Sequence, residues 1–394
     1  MSEPIRVVVV DDSALMRRVI TELLEQDRMI RVIGTACNGR EAIDVVQKLR
    51  PDIVTMDVRM PVMDGVATTE HLMAYCPTPI LVLTASLAHH DVDITFRMLG
   101  AGALEVIEKP AGTDPLALDR AARSLIRRIK VLARVKVVTH LRGRRRTGDG
   151  SELAKDERVL TQAEKTLRRH NVTAIRDLAR HPGLQPSGQV APSSAATPAF
   201  PLIVIGASTG GPRVVSQLLA KLPGDLPAAV LVVQHIAAGF SVGMTEWLAH
   251  SSKLPVRLAY EGHMLQLGEV LIAPDQRDLL MMPGGRVHLS NNPLLIQRPS
   301  IDISMQAAAE MFGPRAIGVL LTGMGRDGAY GMLTIKRAHG YTIAQDEASS
   351  TIFGMPHAAI QLGAACEVLP ASQIAERLVS LINEAIARPS RGVM

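Results

Sequence analysis

The chain has only three cysteines among 394 residues, Cys37, Cys76 and Cys366. Their odd number and wide, irregular spacing exclude a disulfide framework and a thiolate metal site, and point to a reducing compartment. No apolar run approaches the ~20 residues that span a bilayer, and the N-terminus lacks the charged, apolar and small-residue order of a secretory signal. The expected location is therefore the cytosol, with no membrane insertion. No repeat of fixed period is present. With 47% apolar and 21% charged residues, the chain can bury cores, and its length exceeds the usual size of one core, so two domains are expected.

Apolar strand patterns alternate with helical ones from residue 5 to about 110, at Ile5 to Val10, Val32 to Ala36, Asp52 to Met56, Ile80 to Thr84 and Ala103 to Ile107. Five such units predict a (βα)5 domain with a parallel sheet over 1–125. The first strand ends in Asp11-Asp12 and the third in Asp57, within Asp57-Val58-Arg59-Met60-Pro61-Val62-Met63-Asp64-Gly65. Three carboxylates at strand ends with room for water suit Mg²⁺, a hard cation that binds through a few carboxylates and phosphate oxygens. Thr84 and Lys109 close two further strands of that pocket. A carboxylate beside Mg²⁺ can attack a phosphoryl donor, which makes Asp57 the candidate phosphoacceptor and Thr84 and Lys109 the groups that would pair with the phosphoryl oxygens.

The helix after the fifth strand is expected to start at Asp114-Pro115, a capping side chain followed by proline. From Arg120 to Arg146 the chain has eleven Lys or Arg and no Asp or Glu, from which most of the net +5 arises. That stretch reads as a solvated helix face and linker more readily than as a site for an acidic partner. No helix-turn-helix pattern follows it, so nucleic acid is disfavoured. Residues 152–181 have the pattern of one or two short helices, and Pro, Ser, Ala and Gly dominate from His181 to Pro201. The basic and then Pro/Ser/Ala-rich segment 126–199 is expected to be an interdomain linker.

In the C-terminal half, Leu202-Ile203-Val204-Ile205-Gly206-Ala207-Ser208-Thr209-Gly210-Gly211 sets a serine at a glycine-rich strand-to-helix turn. His235 follows the next apolar strand, Ala229 to Gln234, and Asp327 lies in a turn after a third, Ile317 to Thr322. Strands of a doubly wound sheet deliver their carboxyl ends to one crevice, so Ser208 as nucleophile, His235 as base and Asp327 as orienting acid are expected to meet. Backbone N–H groups near Thr209 and Met324 would hold the oxyanion. A dinucleotide site is disfavoured, because the second strand ends in Gln234-His235 where a ribose-binding carboxylate belongs. Gly206-Ala207-Ser208-Thr209-Gly210 satisfies Gly-x-Ser-x-Gly, but an α/β-hydrolase runs Ser, acid, His rather than Ser, His, acid. His250, His263, His339 and His357 read as structural, and Trp247 as core or surface filler.

The double-Asp strand end, the Asp57 loop, Thr84 and Lys109-Pro110 resemble the receiver domain of bacterial response regulators. That resemblance implies phosphorylation of Asp57 by a histidine kinase of the CheA type, Mg²⁺ held by Asp12, Asp57 and the Arg59 carbonyl, and a cis Lys109–Pro110 bond. The family's frequent Tyr or Phe three residues before the lysine is Val106 here.

Residues 200–394 resemble the CheB methylesterase domain. The resemblance is carried by the Ser208 loop, Gln234-His235, Ala273-Pro274, Arg298-Pro299-Ser300-Ile301-Asp302, Leu321-Thr322-Gly323-Met324-Gly325-Arg326-Asp327-Gly328, Ala344-Gln345-Asp346-Glu347-Ala348-Ser349 and Phe353-Gly354-Met355-Pro356. It implies a doubly wound, mostly parallel α/β domain with Ser208, His235 and Asp327 as triad and Met324 at the oxyanion, needing no metal of its own. Its implied activity is hydrolysis of glutamyl methyl esters, and deamidation of glutamines, on methyl-accepting chemotaxis receptors. The unphosphorylated receiver would cover the cleft, and phosphorylation would relieve the block. The long segment 126–199 is expected to soften that coupling, since effective concentration falls with linker length. The alternative is a phosphorylation-controlled binding module of a chemosensory pathway, without turnover.

Overall fold

The computed structural model describes residues 3–85, 89–110, 115–135, 137, 199–291 and 298–387. The expected helices at 152–181, the Asp114 cap and most of the 126–199 linker lie outside them. The N-terminal lobe starts with β1 (Ile5–Val10), whose Val7 to Val10 are buried on both faces, as a central parallel strand requires. Next come α1 (Ala14–Leu24), β2 (Ile30–Ala36), α2 (Gly39–Leu49), β3 (Ile53–Asp57) and α3 (Gly65–Tyr75). The lobe closes with β4 (Ile80–Thr84), α4 (His89–Ala101), β5 (Glu105–Glu108) and α5 (Pro115–Leu132). Ser13, Asn38 and Asp64 cap α1, α2 and α3 by accepting from Met16, Glu41 and Ala67 N–H. The sheet is wholly parallel in the order β2-β1-β3-β4-β5. Its order reverses at β1, which opens a crevice at the carboxyl ends of β1 and β3.

The C-terminal lobe holds β6 (Leu202–Ala207), α6 (Gly211–Lys221), β7 (Ala229–Gln234), α7 (Ser241–Ser251), β8 (Val256–Leu258) and β9 (Val270–Ile272). The hairpin β10 (Asp278–Met282) and β11 (Arg286–Ser290) follows, then α8 (Ile301–Phe312), β12 (Ala316–Leu320), α9 (Ala329–Arg337) and β13 (Tyr341–Gln345). The elements end with α10 (Met355–Gln361), β14 (Glu367–Leu369) and α11 (Ala371–Ala387). Seven parallel strands run β14-β13-β12-β6-β7-β9-β8, with β10 and β11 as a separate antiparallel pair. This sheet reverses at β6, whose six residues are all buried. Register pairs Ala207 with Gln234, so Ser208 and His235 leave adjacent strands side by side.

The described residues of the two lobes belong to one compact unit. Phe96 of α4, fully buried, stacks on Trp247 of α7 with centroids 5.5 Å apart and meets Phe240 edge-on. Trp247 thus joins the lobes rather than filling one of them. Its single-residue context carries no sign of this, because the ring it meets lies on another domain.

Candidate active site and acidic pocket

The register of β1 against β3 pairs Val10 with Met56, which places Asp11 beside Asp57 at the carboxyl edge. Carboxylate oxygens of Asp11, Asp12 and Asp57 lie within 4.8 Å of one another. Lys109, delivered by β5, sets its Nζ 2.6 Å from Asp11 and 2.8 Å from Asp57. Its backbone N–H donates to the Thr84 carbonyl at 2.7 Å, which ties the ends of β4 and β5 together. Burial and the neighbouring Asp11 push the Asp57 carboxyl above its usual range despite Lys109. Burial also opposes the charge on Lys109, but its bonds to Asp11 and Asp57 hold it above the ordinary lysine value. Lys109 pairs with two of the three clustered carboxylates, leaving hard oxygen donors in excess, which fits a divalent cation. Asp12 is exposed, leaving the pocket open to solvent, and Arg59 is exposed in the loop after β3.

The Lys109–Pro110 peptide is trans, against expectation, and among the described residues the cis bond is Arg298–Pro299. A trans X–Pro bond is the lower-energy form by ~0.5–1 kcal/mol, and from it Lys109 already reaches both carboxylates.

In the second lobe, the turn after β6 is held from three sides. Ser208 N donates to Thr322 O at 3.0 Å, Gln234 Nε2 donates to Ser208 O at 2.8 Å, and Thr322 Oγ1 donates to Thr209 O at 3.0 Å. Gly323 is needed because a Cβ there would lie 2.7 Å from Ser208 Cβ and 2.4 Å from Met355 Sδ. Gly210 opens α6 with φ of 76°, a left-handed conformation. His235 Nε2 meets Asp327 Oδ2 at 2.7 Å, both side chains being 11% exposed. The ring's Nδ1 is the nitrogen left for the cleft. Among the described residues Ser208 Oγ makes no hydrogen bond, and it lines the same cleft as His235.

Asp327 also accepts from Ser300 Oγ, Ile301 N, Asp302 N and Gly328 N, at 3.1, 2.8, 2.9 and 3.1 Å. Burial opposes its ionisation, but His235 and the backbone donors outweigh burial and hold Asp327 below the usual carboxylate range. Asp302 behaves oppositely, pushed up to about 7 by burial and by the charge of Asp327.

Ser208, Thr209, Gln234, His235, Arg298 and Met324 line one cleft of about 410 Å³, whose other wall is the N-terminal lobe, including Glu105, Val106 and Arg128. Thr209 Oγ1 donates to Glu105 Oε2 at 3.0 Å and Gly210 N to Leu104 O at 3.2 Å. Arg128 Nε holds the other Glu105 oxygen at 2.8 Å. The end of α5 and the start of β5 therefore cover the Ser208 loop. Glu105, Arg128, Gln234 and Asp302 were not singled out as site residues by sequence reasoning. Only Gln234 and Asp302 had a signal, as members of quoted motifs.

These features define a receiver-type lobe closed over a doubly wound α/β lobe that carries Ser, His and Asp at its strand ends. Residues 7–119 match the response regulator receiver domain and residues 203–378 match the CheB methylesterase. The protein-glutamate methylesterase/protein-glutamine glutaminase of Symbiobacterium thermophilum is 38% identical over 98% of this chain and 99% of its own. The second such enzyme of Anaeromyxobacter dehalogenans is 41% identical over 96% and 97%. The Thermotoga maritima CheB methylesterase catalytic domain, a crystal structure, is 37% identical with a TM-score of 0.45, covering 47% of this chain and 100% of that one. The chain belongs to the CheB family, the chemotaxis response regulators that carry a methylesterase.

Proposed function

We propose that this protein is a phosphorylation-regulated protein-glutamate methylesterase and protein-glutamine deamidase acting on chemotaxis receptors. The observation that carries the reading is full-length identity of 38–41% to enzymes of that name, joined to a His–Asp pair beside a serine at a strand-to-helix turn. Its organisation is a receiver over 1–125, a linker over 126–199 and an esterase over 200–394.

In this reading Ser208 Oγ attacks the ester carbonyl carbon of a methylated glutamyl side chain while His235 Nδ1 takes the hydroxyl proton. Asp327, bonded to Nε2, fixes the ring and stabilises its charged form. The developing oxyanion is held by backbone N–H groups at the Met324 turn and near Thr209. His235 then gives its proton to departing methanol, or to ammonia from a glutamine, and water releases the acyl group with His235 again as base.

The acidic pocket suits Mg²⁺ held by Asp11, Asp12, Asp57 and the Arg59 carbonyl, and the ion would neutralise charge on an incoming phosphoryl group. Asp57 is the proposed phosphoacceptor. A phosphoryl group adds roughly −1.5 to −2 charges, which would draw Thr84 and Lys109 toward it. Lys109 follows β5, whose first residue, Glu105, holds Thr209 of the catalytic loop. Pocket and cleft are thus joined by one short strand, and a shift of β5 would loosen the cover. The proposed partners are a histidine kinase of the CheA type and methyl-accepting receptors. No described helix is long and apolar enough to cross a membrane.

The reading is tested by methanol release from methylated receptor membranes, with a small phosphodonor and Mg²⁺ added or withheld and Ser208→Ala as control. Release that needs Ser208 and rises with phosphodonor supports both halves. Absence of release from wild type with matched receptors favours the binding module.

A further inference from the structure

The helices α8 and α9 exchange carboxylates at their N-termini. Asp327, just before the Gly328 that opens α9, takes the Ile301 and Asp302 N–H groups and the Ser300 hydroxyl at the start of α8. Asp302, the second residue of α8, returns the contact by accepting Gly331 N at 2.7 Å. Each helix start is therefore clasped by an acid from beside the other, and both sets of otherwise orphaned donors are used.

The packing leaves little freedom for either partner. A Cβ on Gly331 would lie 2.5 Å from Met305 Cβ and 3.1 Å from Asp302 O, so α9 rests directly on α8. Asp302 is 9% exposed, and among the described residues no lysine or arginine pairs with it. The charged and titratable groups around it are Asp327, His235 beyond Asp327, and Asp278 of β10, whose Oδ1 accepts Ser300 N at 2.9 Å. Asp302 is not among the residues that line the cleft, and it is 9% exposed.

We infer that Asp302 is a positioning residue for the hydrolytic site: by clasping the first turn of α9 it fixes Asp327, and through Asp327 the ring of His235. If Asp302 were lost, the first turn of α9 would lose its anchor at Gly331, and Asp327, which leads into that turn, would keep its bonds to α8 on a backbone free to shift. A displacement near 1 Å in a reacting constellation can cost ~10²-fold in rate. The kinetic part of the inference rests on the methylesterase reading above, and the spectroscopic part does not.

The test uses the full chain as wild type, Asp302→Ala, Asp302→Asn and Asp302→Glu. Two quantities are measured: kcat and KM for methanol release from methylated receptor membranes, and the low-field proton NMR resonance of the His235 ring N–H bonded to Asp327. Asp302→Ala is expected to lower kcat by ~10–100-fold with KM within about twofold, and to shift or broaden the resonance. Asp302→Asn keeps a carbonyl acceptor for Gly331 and is expected to restore most of kcat and the wild-type resonance. Should the alanine variant fail to fold, Asp302→Glu, which moves the acceptor by one methylene, must lower kcat and shift the resonance. A folded alanine or glutamate variant with wild-type kcat and an unmoved resonance overturns the inference, as does an asparagine variant as impaired as alanine. Absence of methanol release from wild type would overturn the activity reading alone, with the resonance still deciding the role of Asp302.

Discussion

Both lobes gather carboxylates where a parallel sheet reverses its order, yet they treat the charge in opposite ways. At the end of β1 and β3, Asp11 and Asp57 share the Lys109 ammonium with Asp12 close by, and Asp57 is pushed above its usual range. Around α8 and α9, Asp327 receives a histidine, a hydroxyl and three backbone donors and is held below it. The first pocket is short of positive charge and open at Asp12, the condition for taking up a cation and a phosphoryl group. The second is satisfied before any substrate arrives, the condition for keeping an imidazole in one tautomer and orientation. On the proposed reading, the same strand-end topology serves as a switch in one lobe and a fixed catalytic frame in the other, according to how many donors face the acid.

The largest effect expected is in the satisfied pocket. Asp327→Asn replaces an acceptor by an amide that can present its NH₂ to Nε2, forcing the proton onto the nitrogen that must act as base. In the serine-protease template this change lowers kcat by ~10⁴-fold, and a loss of similar size in methanol release is expected here. A variant retaining a tenth or more of wild-type kcat would show that the second pocket does not work as a fixed acceptor.

A smaller effect is expected in the under-neutralised pocket. Asp57→Asn removes one of three carboxylates, so the stimulation of methanol release by phosphodonor should vanish, and the rise in Tm on adding Mg²⁺ should shrink, since a ligand stabilises only in proportion to its affinity for the native state. Unchanged stimulation would place the phosphoryl group elsewhere.

The smallest effect concerns stability and Asp302. Its carboxyl loses its proton near 3.8 when unfolded but at about 7 when folded. Between those values the unfolded chain gains by ionising and the folded chain does not, so the contribution of Asp302 to stability should fall as pH rises from about 4 to about 7 and level off above. Asp302→Asn has no proton to lose. Its Tm relative to wild type should therefore climb over that window, by an amount on the order of a few kcal/mol in unfolding free energy. Thermal melts of both proteins at several pH values measure this, and a constant difference would mean that Asp302 is ionised throughout.

Much of the fold was legible because buried parallel strands are written as uninterrupted apolar runs. Ile5–Val10, Ile80–Thr84 and Ala229–Gln234 coincide with the expected segments, and the others differ by a residue or two at their ends. Ser208, His235 and Asp327 were legible for a related reason: each follows a strand, and strand ends of a doubly wound sheet converge. The clasp between Asp302 and Asp327 was not, since 25 residues separate them and only the approach of α8 to α9 brings their donors together. Glu105, on a short half-exposed strand, gave no sequence signal, because its partner Thr209 lies 104 residues away.

The sequence by itself determined the two sheets, the strand-end chemistry of each lobe and the family. Those follow from local patterning, since periodicity, caps and turn glycines act over a few residues. Tertiary structure alone decided that β5 and α5 cover the Ser208 loop, that Trp247 stacks on Phe96, and that one acid is raised while its neighbour is lowered. These depend on burial and on which donors meet across the fold, and both are set by packing between segments far apart in the chain.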